Sequence, residues 1–383
     1  MTDSTAYMGA AIFDGTTLFQ DHALVVEGAR IAALVPVAEV PADARRQRLG
    51  GGTLVPGFVD LQVNGGGGIQ LNADPSVEAL KTIAAAHLTL GTTALLPTLI
   101  TDTPDKTRAV IDAVAQAVEE GVPGIAGLHL EGPHLSIARK GAHDPALIRP
   151  MEAEDLALLI EAAGRLPALM VTVAPENVTV EQVRALADAG VVVSLGHSDA
   201  PFQTCVEYAA AGARVATHLF NAMSQLGSRA PGLVGAALQT GGLSAGLIAD
   251  GVHVDPATIA IALRAKRGPG GIFLVTDAMA PAGTEMESFT LEGRTIRREN
   301  GRLTLEDGTL AGADLELASA IRLMVEQVGL NLAEALTMAT SRPAGLMGLA
   351  HGALKPGRAA DFVALNDKLE ISAIWKDGRH VTR

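Results

Sequence analysis

A (β/α)8 barrel of the TIM type, with a small β-sandwich domain built from both chain ends, is the fold class this sequence predicts. Three observations carry it. Eight short, almost uninterrupted apolar runs fill the middle of the 383-residue chain. Helix-like segments rich in Ala and Leu alternate with them, and both ends switch to strand-like alternation broken by Asp-Gly and Glu-Gly turns. Runs without polar alternation belong to strands covered on both faces, as in a parallel sheet wrapped by helices. Eight such units favour closure into a barrel over an open sheet.

In chain order, residues 10–37 carry the turns Asp14-Gly15 and Glu27-Gly28, which fit hairpins. The eight strands are expected at 53–63, 92–99, 124–130, 168–174, 191–195, 215–219, 244–249 and 271–276. Helices are expected between them at 77–90, 103–120, 154–164, 180–189, 202–211 and 256–266, where apolar residues recur at helical spacing. The stretch 234–239, after the sixth strand, is short and Gly-flanked and gives the weakest helical pattern. A last helix is expected at 315–328, with Asp314 placed to cap it. Before it, the turn-rich stretch 288–308 reads as an inserted hairpin. Residues 361–383 return to strand alternation around Asp377-Gly378. Neither end can build a core alone, so residues 1–56 and 357–383 should pair into one small domain beside a barrel of 57–356. Pro56-Gly57 and Lys355-Pro356-Gly357 are the expected crossing points.

Composition excludes several functions. With 29 basic against 42 acidic residues, the net charge is −13. Nucleic acid and anionic membrane both need a Lys/Arg-rich face, so neither is expected as a partner. No apolar run approaches the ~20 residues needed to cross a bilayer. Residues 1–10 lack a basic stretch followed by an apolar one, so no secretory signal is expected. The single cysteine, Cys205, cannot form an internal disulfide and suits a reducing, cytoplasmic setting. The glycine run 65–68 is not a Gly-x-Gly-x-x-Gly fingerprint opening a helix, which argues against a dinucleotide site. It reads either as a flexible turn or as a place where backbone approaches a ligand closely.

Chemistry collects at the carboxyl ends of the strands, where barrel enzymes place their sites. The first strand ends in Gln62 and Asn64, the third in the stretch from His129 to His134, and the fifth in Gly196-His197-Ser198. The sixth ends in Thr217-His218-Leu219-Phe220-Asn221, Asp250 to His253 follow the seventh, and the eighth ends in Thr276-Asp277-Ala278. Two imidazoles, one carboxylate and an open position make a catalytic zinc-type set, and Glu131, His197 and His218 fit it. Such an ion lowers the pKa of bound water to roughly 7 and polarises a carbonyl. Asp277 is placed to take the water's proton and return it to a leaving nitrogen. His129 faces away from Leu130 and reads as buried support or as a residue behind the ligands. His22, His87, His351 and His380 fall outside the constellation and read as surface or packing residues.

These strings, taken together with Val55-Pro56-Gly57-Phe58-Val59-Asp60 and Asn221-Ala222-Met223, resemble the N-acetylglucosamine-6-phosphate deacetylases of the amidohydrolase superfamily, in order from about Val55 to Lys355. The resemblance implies hydrolysis of the acetamide of N-acetyl-D-glucosamine 6-phosphate to glucosamine 6-phosphate and acetate. It implies that Glu131, His197 and His218 hold the metal, that Asp277 is the general base and acid, and that His143 helps polarise the acetyl carbonyl. It further implies that His253 and Arg229 contact the phosphate, the arginine coming from the neighbouring subunit of a homodimer. Ala142, Asn221, Ala222 and Leu310 would complete the substrate contacts. Many amidohydrolases begin with His-x-His on the first strand, which supports a second metal; here the positions hold Gln62 and Asn64, so they read as remnants of that site. Amides are weaker ligands than imidazole, and one divalent ion per subunit is expected, zinc first, iron or manganese next. Competing readings are a deacetylase of the epimeric N-acetylgalactosamine 6-phosphate, a cyclic amidase, which the phosphate-directed Arg229 and His253 disfavour, and a sugar-phosphate sensor without catalysis.

Overall fold

The computed structural model describes residues 4–382. Its centre is a single sheet of eight parallel strands in sequential order: β1 (Phe58–Val63), β2 (Thr92–Ile100), β3 (Leu128–Glu131), β4 (Leu169–Val173), β5 (Val192–Leu195), β6 (Val215–Ala216), β7 (Ser244–Leu247) and β8 (Ile272–Leu274). The ring closes just past β8, where Asp277 N donates to Gln62 O (3.0 Å) and Asn64 N donates to Ala278 O (2.8 Å). Seven helices make the crossovers: α1 (Val77–Thr89), α2 (Pro104–Glu119), α3 (Ala153–Arg165), α4 (Val180–Asp188), α5 (Phe202–Ala210), α6 (Gly232–Gln239) and α7 (Pro256–Ala265). Hydroxyl or carboxylate caps start four of them, from Ser76, Thr103, Thr179 and Asp255. One continuous apolar core joins the strands to these helices, so the expected fold class is the one observed.

The chain ends form two further sheets, one of four strands drawn from residues 4–48 and one of six drawn from residues 11–56 and 362–380. Tyr7, Leu24, Leu54, Phe362 and Trp375 fill the space between them, with Phe362 stacked on Trp375 at a centroid distance of 4.7 Å. Residues 1–3 and 383 of the expected small domain lie outside the described residues. Among the described residues no helix is long and apolar enough to cross a membrane.

Several expected elements differ in detail. The run 53–63 is two strands, because Thr53–Pro56 pairs antiparallel with Phe362–Leu365 in the small domain while β1 joins the barrel. Gly57 makes the change of sheet possible: a Cβ there would come within 2.1 Å of Thr93 Oγ1. The third and sixth strands are shorter than expected. Gly124 and Gly127 have positive φ, and so do His218 and Phe220, and extended pairing cannot continue through such residues. Asp314 does not cap the last helix, α8 (Leu317–Glu326); its carboxylate instead accepts from Arg298 Nε at 2.8 Å. Two helices at Leu332–Ala339 and Ser341–Leu346 were not anticipated. The insert is a four-stranded antiparallel meander spanning Ser288–Leu291 to Leu310–Ala313, larger than a hairpin.

Asp60 stitches the seam of the barrel. Its fully buried carboxylate accepts from Thr276 Oγ1 (2.5 Å), Thr276 N (3.3 Å) and Gln62 N (3.2 Å). Burial pushes its pKa from 3.8 up to about 7 against the pull of these donors. A carboxyl that binds its proton more tightly when folded supports the fold at low pH and loses that support as pH rises through this interval. Asp60→Asn keeps an acceptor and removes the charge. The Tm of Asp60→Asn minus that of wild type should therefore be more positive at pH 8 than at pH 5, by several degrees, in paired calorimetric scans. A difference independent of pH would show that Asp60 does not titrate in this interval.

Candidate active site

The carboxyl ends of the strands open on a cavity of about 530 Å3. Its floor carries Asn64, Glu131, His197, His218 and Asp277, and its walls include Ala142, His143, Asn221, Ala222, His253 and Leu310. Three of the floor residues hold left-handed backbone: His197 (φ 46°), His218 (φ 27°) and Asp277 (φ 52°). Non-glycine residues enter that region at a cost of about 1 kcal/mol or more each, so the surroundings must dictate it. They do so through main-chain bonds: Ser136 N to His197 O (2.8 Å), Asn221 N to His218 O (2.9 Å) and Ala313 N to Asp277 O (2.9 Å).

Three donor atoms meet on the floor. Glu131 Oε1 lies 3.2 Å from His197 Nε2 and 3.1 Å from His218 Nε2, and the two ring nitrogens are 3.1 Å apart. His197 Nδ1 donates to the carbonyl of Arg139 at 2.8 Å, which leaves its Nε2 as a lone pair in the neutral ring. Lone pairs packed this tightly repel unless a cation sits among them. Atoms bound about 2.1 Å from one ion lie roughly 3.0 to 3.4 Å apart, so these residues fit a metal of the zinc type. Glu131, His143 and His197 also offer donor atoms within 4.8 Å of one another. His143 is the poorer third ligand, because its Nδ1 is engaged by Thr101, accepting from Thr101 N at 3.3 Å beside Thr101 Oγ1 at 2.8 Å. That engagement sets its proton on Nε2, making the ring a donor.

The two carboxylates of the floor are pushed in opposite directions. Burial alone would raise Glu131, but the adjoining imidazoles of His197 and His218 outweigh it and hold the carboxyl well below its usual range. Burial, with Glu131 nearby, pushes Asp277 up to about 6. Pairs separated in this way mark the division between a group that stays charged and one that exchanges protons. His143 is held neutral by burial first and by the neighbouring His197 next. At the far wall His253 Nδ1 lies 2.6 Å from Asp250 Oδ2, so the ring is anchored through Nδ1.

Other expected residues fall elsewhere. Gln62 lies near the end of β1 and does not line the cavity, whereas Asn64, just past the strand, does. Arg229 sits on the exposed stretch 225–230, outside the wall of its own cavity. His134 is bound up with Arg149 O and Asp155 away from the floor. His129 is fully buried beneath it, with Nε2 2.8 Å from Thr172 Oγ1, in a hydroxyl chain that continues to Thr217 and Ser194. The glycine run 65–68 does not reach the cavity; Gly67 N and Gly68 N donate to Ala282 O and Ala280 O, and His87 Nε2 lies 2.9 Å from Gly65 O. Its tight packing, not a ligand, explains the glycines: a Cβ on Gly65 would come within 2.4 Å of Ile69 O. Thr101 and the carbonyl of Arg139 escaped the sequence reading. Thr101 follows directly on β2, and its place at a strand end was the available signal.

Residues 53–381 match the amidohydrolase family, and residues 6–54 match the NagA composite domain. The chain is 42% identical to an N-acetylgalactosamine-6-phosphate deacetylase of Shewanella sp. (strain ANA-3), over 97% of this chain and 94% of that one. It is 34% identical to an N-acetylglucosamine-6-phosphate deacetylase of Haemophilus influenzae, over 98% of each. The crystal structure of N-acetylglucosamine-6-phosphate deacetylase from Pasteurella multocida superposes with a TM-score of 0.94 at 33% identity, covering 99% of this chain and 100% of that one.

The competition between His143 and His218 is open to direct measurement. Glu131→Ala, His197→Ala and His218→Ala should each purify with metal content reduced at least ~10-fold by elemental analysis, while His143→Ala retains it. Loss of metal from His143→Ala, with retention in His218→Ala, would reverse the choice of third ligand.

Proposed function

The chain belongs to the amidohydrolase family, and from that premise we propose that it hydrolyses the acetamide of N-acetyl-D-glucosamine 6-phosphate to glucosamine 6-phosphate and acetate. The observation that carries this reading is the convergence of Glu131 Oε1, His197 Nε2 and His218 Nε2 within 3.2 Å of one another on the floor that Asp277 shares. A divalent ion held by these three, one per chain and zinc by the donor set, would acidify a water and polarise the acetyl carbonyl. Iron and manganese suit the same donors.

The protein's own groups handle the protons. Asp277 takes one from the water as oxygen adds to the carbonyl carbon. It then delivers that proton to the nitrogen as the C–N bond breaks, giving the amine and acetic acid, and the acid's remaining proton passes to the amine so that ammonium and acetate leave. His143 offers its Nε2 proton to the carbonyl oxygen, whose negative charge grows toward the tetrahedral intermediate; a donor so placed is worth about 3 kcal/mol. His253, with Asn221, Ala222, Ala142 and Leu310, contacts the sugar and its phosphate. Arg229 reaches the phosphate of a neighbouring subunit, which makes the homodimer part of the site. A cytoplasmic setting is part of this reading, and the single buried cysteine suits it.

The Shewanella relative, named for the galacto epimer, supports a second reading in which N-acetylgalactosamine 6-phosphate is the better substrate. A sensor without catalysis is disfavoured, because ligands and acid–base residue occur together.

Acetate release from the two epimeric 6-phosphates and from the unphosphorylated sugar tests the assignment. The gluco 6-phosphate should give the highest kcat/KM and the free sugar a value lower by ~100-fold or more. A higher value for the galacto epimer selects the second reading, and binding without release selects the sensor. Asp277→Asn should lower kcat by at least ~10³-fold, a loss in the range of removed acid–base groups. Arg229 has its own experiment: mixed dimers of Arg229→Ala and Asp277→Asn chains should regain activity approaching one working site per dimer. Silence from verified mixed dimers would place the arginine in its own subunit's site.

A further inference from the structure

Gln62 and Asn64 stand where the sequence suggests remnants of a second metal site, yet both side chains are engaged. They are 2% and 1% exposed. Gln62 Nε2 lies 3.1 Å from Glu131 Oε2 and 3.1 Å from Asp277 Oδ1. Asn64 Nδ2 lies 2.7 Å from the same Asp277 Oδ1. An amide nitrogen carries two protons, so Gln62 can donate to both carboxylates at once, which an imidazole nitrogen cannot do. The orientation of both amides is forced, since a reversed amide would set its oxygen against carboxylate oxygen. Asn64 Oδ1 is left buried without a partner, which fits an amide whose orientation is fixed by its NH2 group alone.

The main chain reinforces the arrangement. Gln62 O accepts from Asp277 N (3.0 Å), and Asn64 N donates to Ala278 O (2.8 Å), so the end of β1 grips this segment by backbone and side chain together. Each carboxylate thereby has one oxygen tied and one left for chemistry. Glu131 Oε1 is the oxygen that meets the two histidines, and Asp277 Oδ2 has no hydrogen-bond partner among the described residues.

We propose that Gln62 and Asn64 are positioning residues: a two-amide splint that fixes the rotation of Asp277 through Oδ1 and of Glu131 through Oε2. This rests on the hydrolase reading of the site. It assigns the two amides different reach, because Gln62 touches both carboxylates and Asn64 only Asp277. A misplacement of 1 Å at a reacting group can cost ~100-fold in rate, which gives the splint its scale.

The test uses the full-length, metal-loaded protein with Asn64→Leu and Gln62→Met, near-isosteres without donors. Asn64→Leu should lower kcat ~10- to 100-fold, with KM within about 3-fold and metal retention against a chelator as in wild type. Gln62→Met should lower kcat similarly and also release metal ~10-fold more readily. Adding Asn64→Leu to Asp277→Asn should change the residual rate less than about 2-fold, because the asparagine acts through Asp277. Three results overturn the proposal: kcat retained in both variants, kcat falling only in step with metal content, or equal losses with and without Asp277. If Asn64→Leu does not fold, Asn64→Ala gives the same comparison. Should wild type release no acetate, the hydrolase reading fails. The splint is then judged by metal retention alone, where equal retention in Gln62→Met and Asn64→Leu would sink it.

Discussion

Closure of the sheet between β1 and β8 is the constraint on which the site depends. A parallel sheet of eight strands has two edges, and only their meeting brings Gln62 and Asn64 beside Asp277, more than two hundred positions later in the chain. The seam is not held by the ordinary strand ladder, since β1 and β8 share no run of paired residues. It is held by Asp60 on Thr276, by Gln62 O on Asp277 N, and by Asn64 N on Ala278 O. The same contacts that close the barrel therefore aim Asp277, the residue proposed as acid and base. Stability and the proposed catalysis draw on one set of groups there.

The floor places two carboxylates and two imidazoles side by side, all four of them buried. Left to themselves, two buried acids so close would share a proton and blur their roles. Their surroundings separate them. Glu131 meets the two imidazoles through one oxygen and is held ionised, whereas burial and then the nearby Glu131 push Asp277 up to about 6, and its amide donors offset this only in part. Amides suit this task because they donate without bringing a positive charge. A lysine or arginine at position 62 or 64 would favour the charged form of Asp277 and deny it the range in which a proton can be taken up and returned.

Much of this was legible in the sequence. The eight apolar runs identified the barrel, and the rule that parallel barrels carry function at strand carboxyl ends singled out Glu131, His197, His218 and Asp277, which the structure brings to one floor. Contacts between distant segments were not legible. The splitting of 53–63 depends on Thr93 crowding Gly57, and the engagement of Asp314 depends on Arg298 from the insert; neither partner is a sequence neighbour. The amide pair illustrates the limit best. By residue type, Gln62 and Asn64 are weak metal ligands and look like a loss. Their positive role appears only once the ring has closed and their NH2 groups are seen against two carboxylates.

Charge explains what the cavity does not contain. A chain with a net charge of −13 is a poor host for a dianionic phosphate, so the phosphate of the proposed substrate would have to be met by specific cations rather than by a general field. Two guanidiniums beside the cavity are already engaged: Arg139, which lines it, with Asp199 at 2.7 Å, and Arg294 with the Ala142 carbonyl and Glu292. Both hold loops in place, Arg139 beside the carbonyl that orients His197 and Arg294 against the segment that carries His143. Redirecting either toward a ligand would release a loop on which the chemistry depends. Arg229 is under no such obligation. It stands exposed on a stretch that also exposes Leu226 at 56%, outside its own cavity, where a second copy of the chain could receive it. On the proposed reading the phosphate-binding cation comes from the neighbouring chain, so the loops held by Arg139 and Arg294 stay fixed and assembly completes the site.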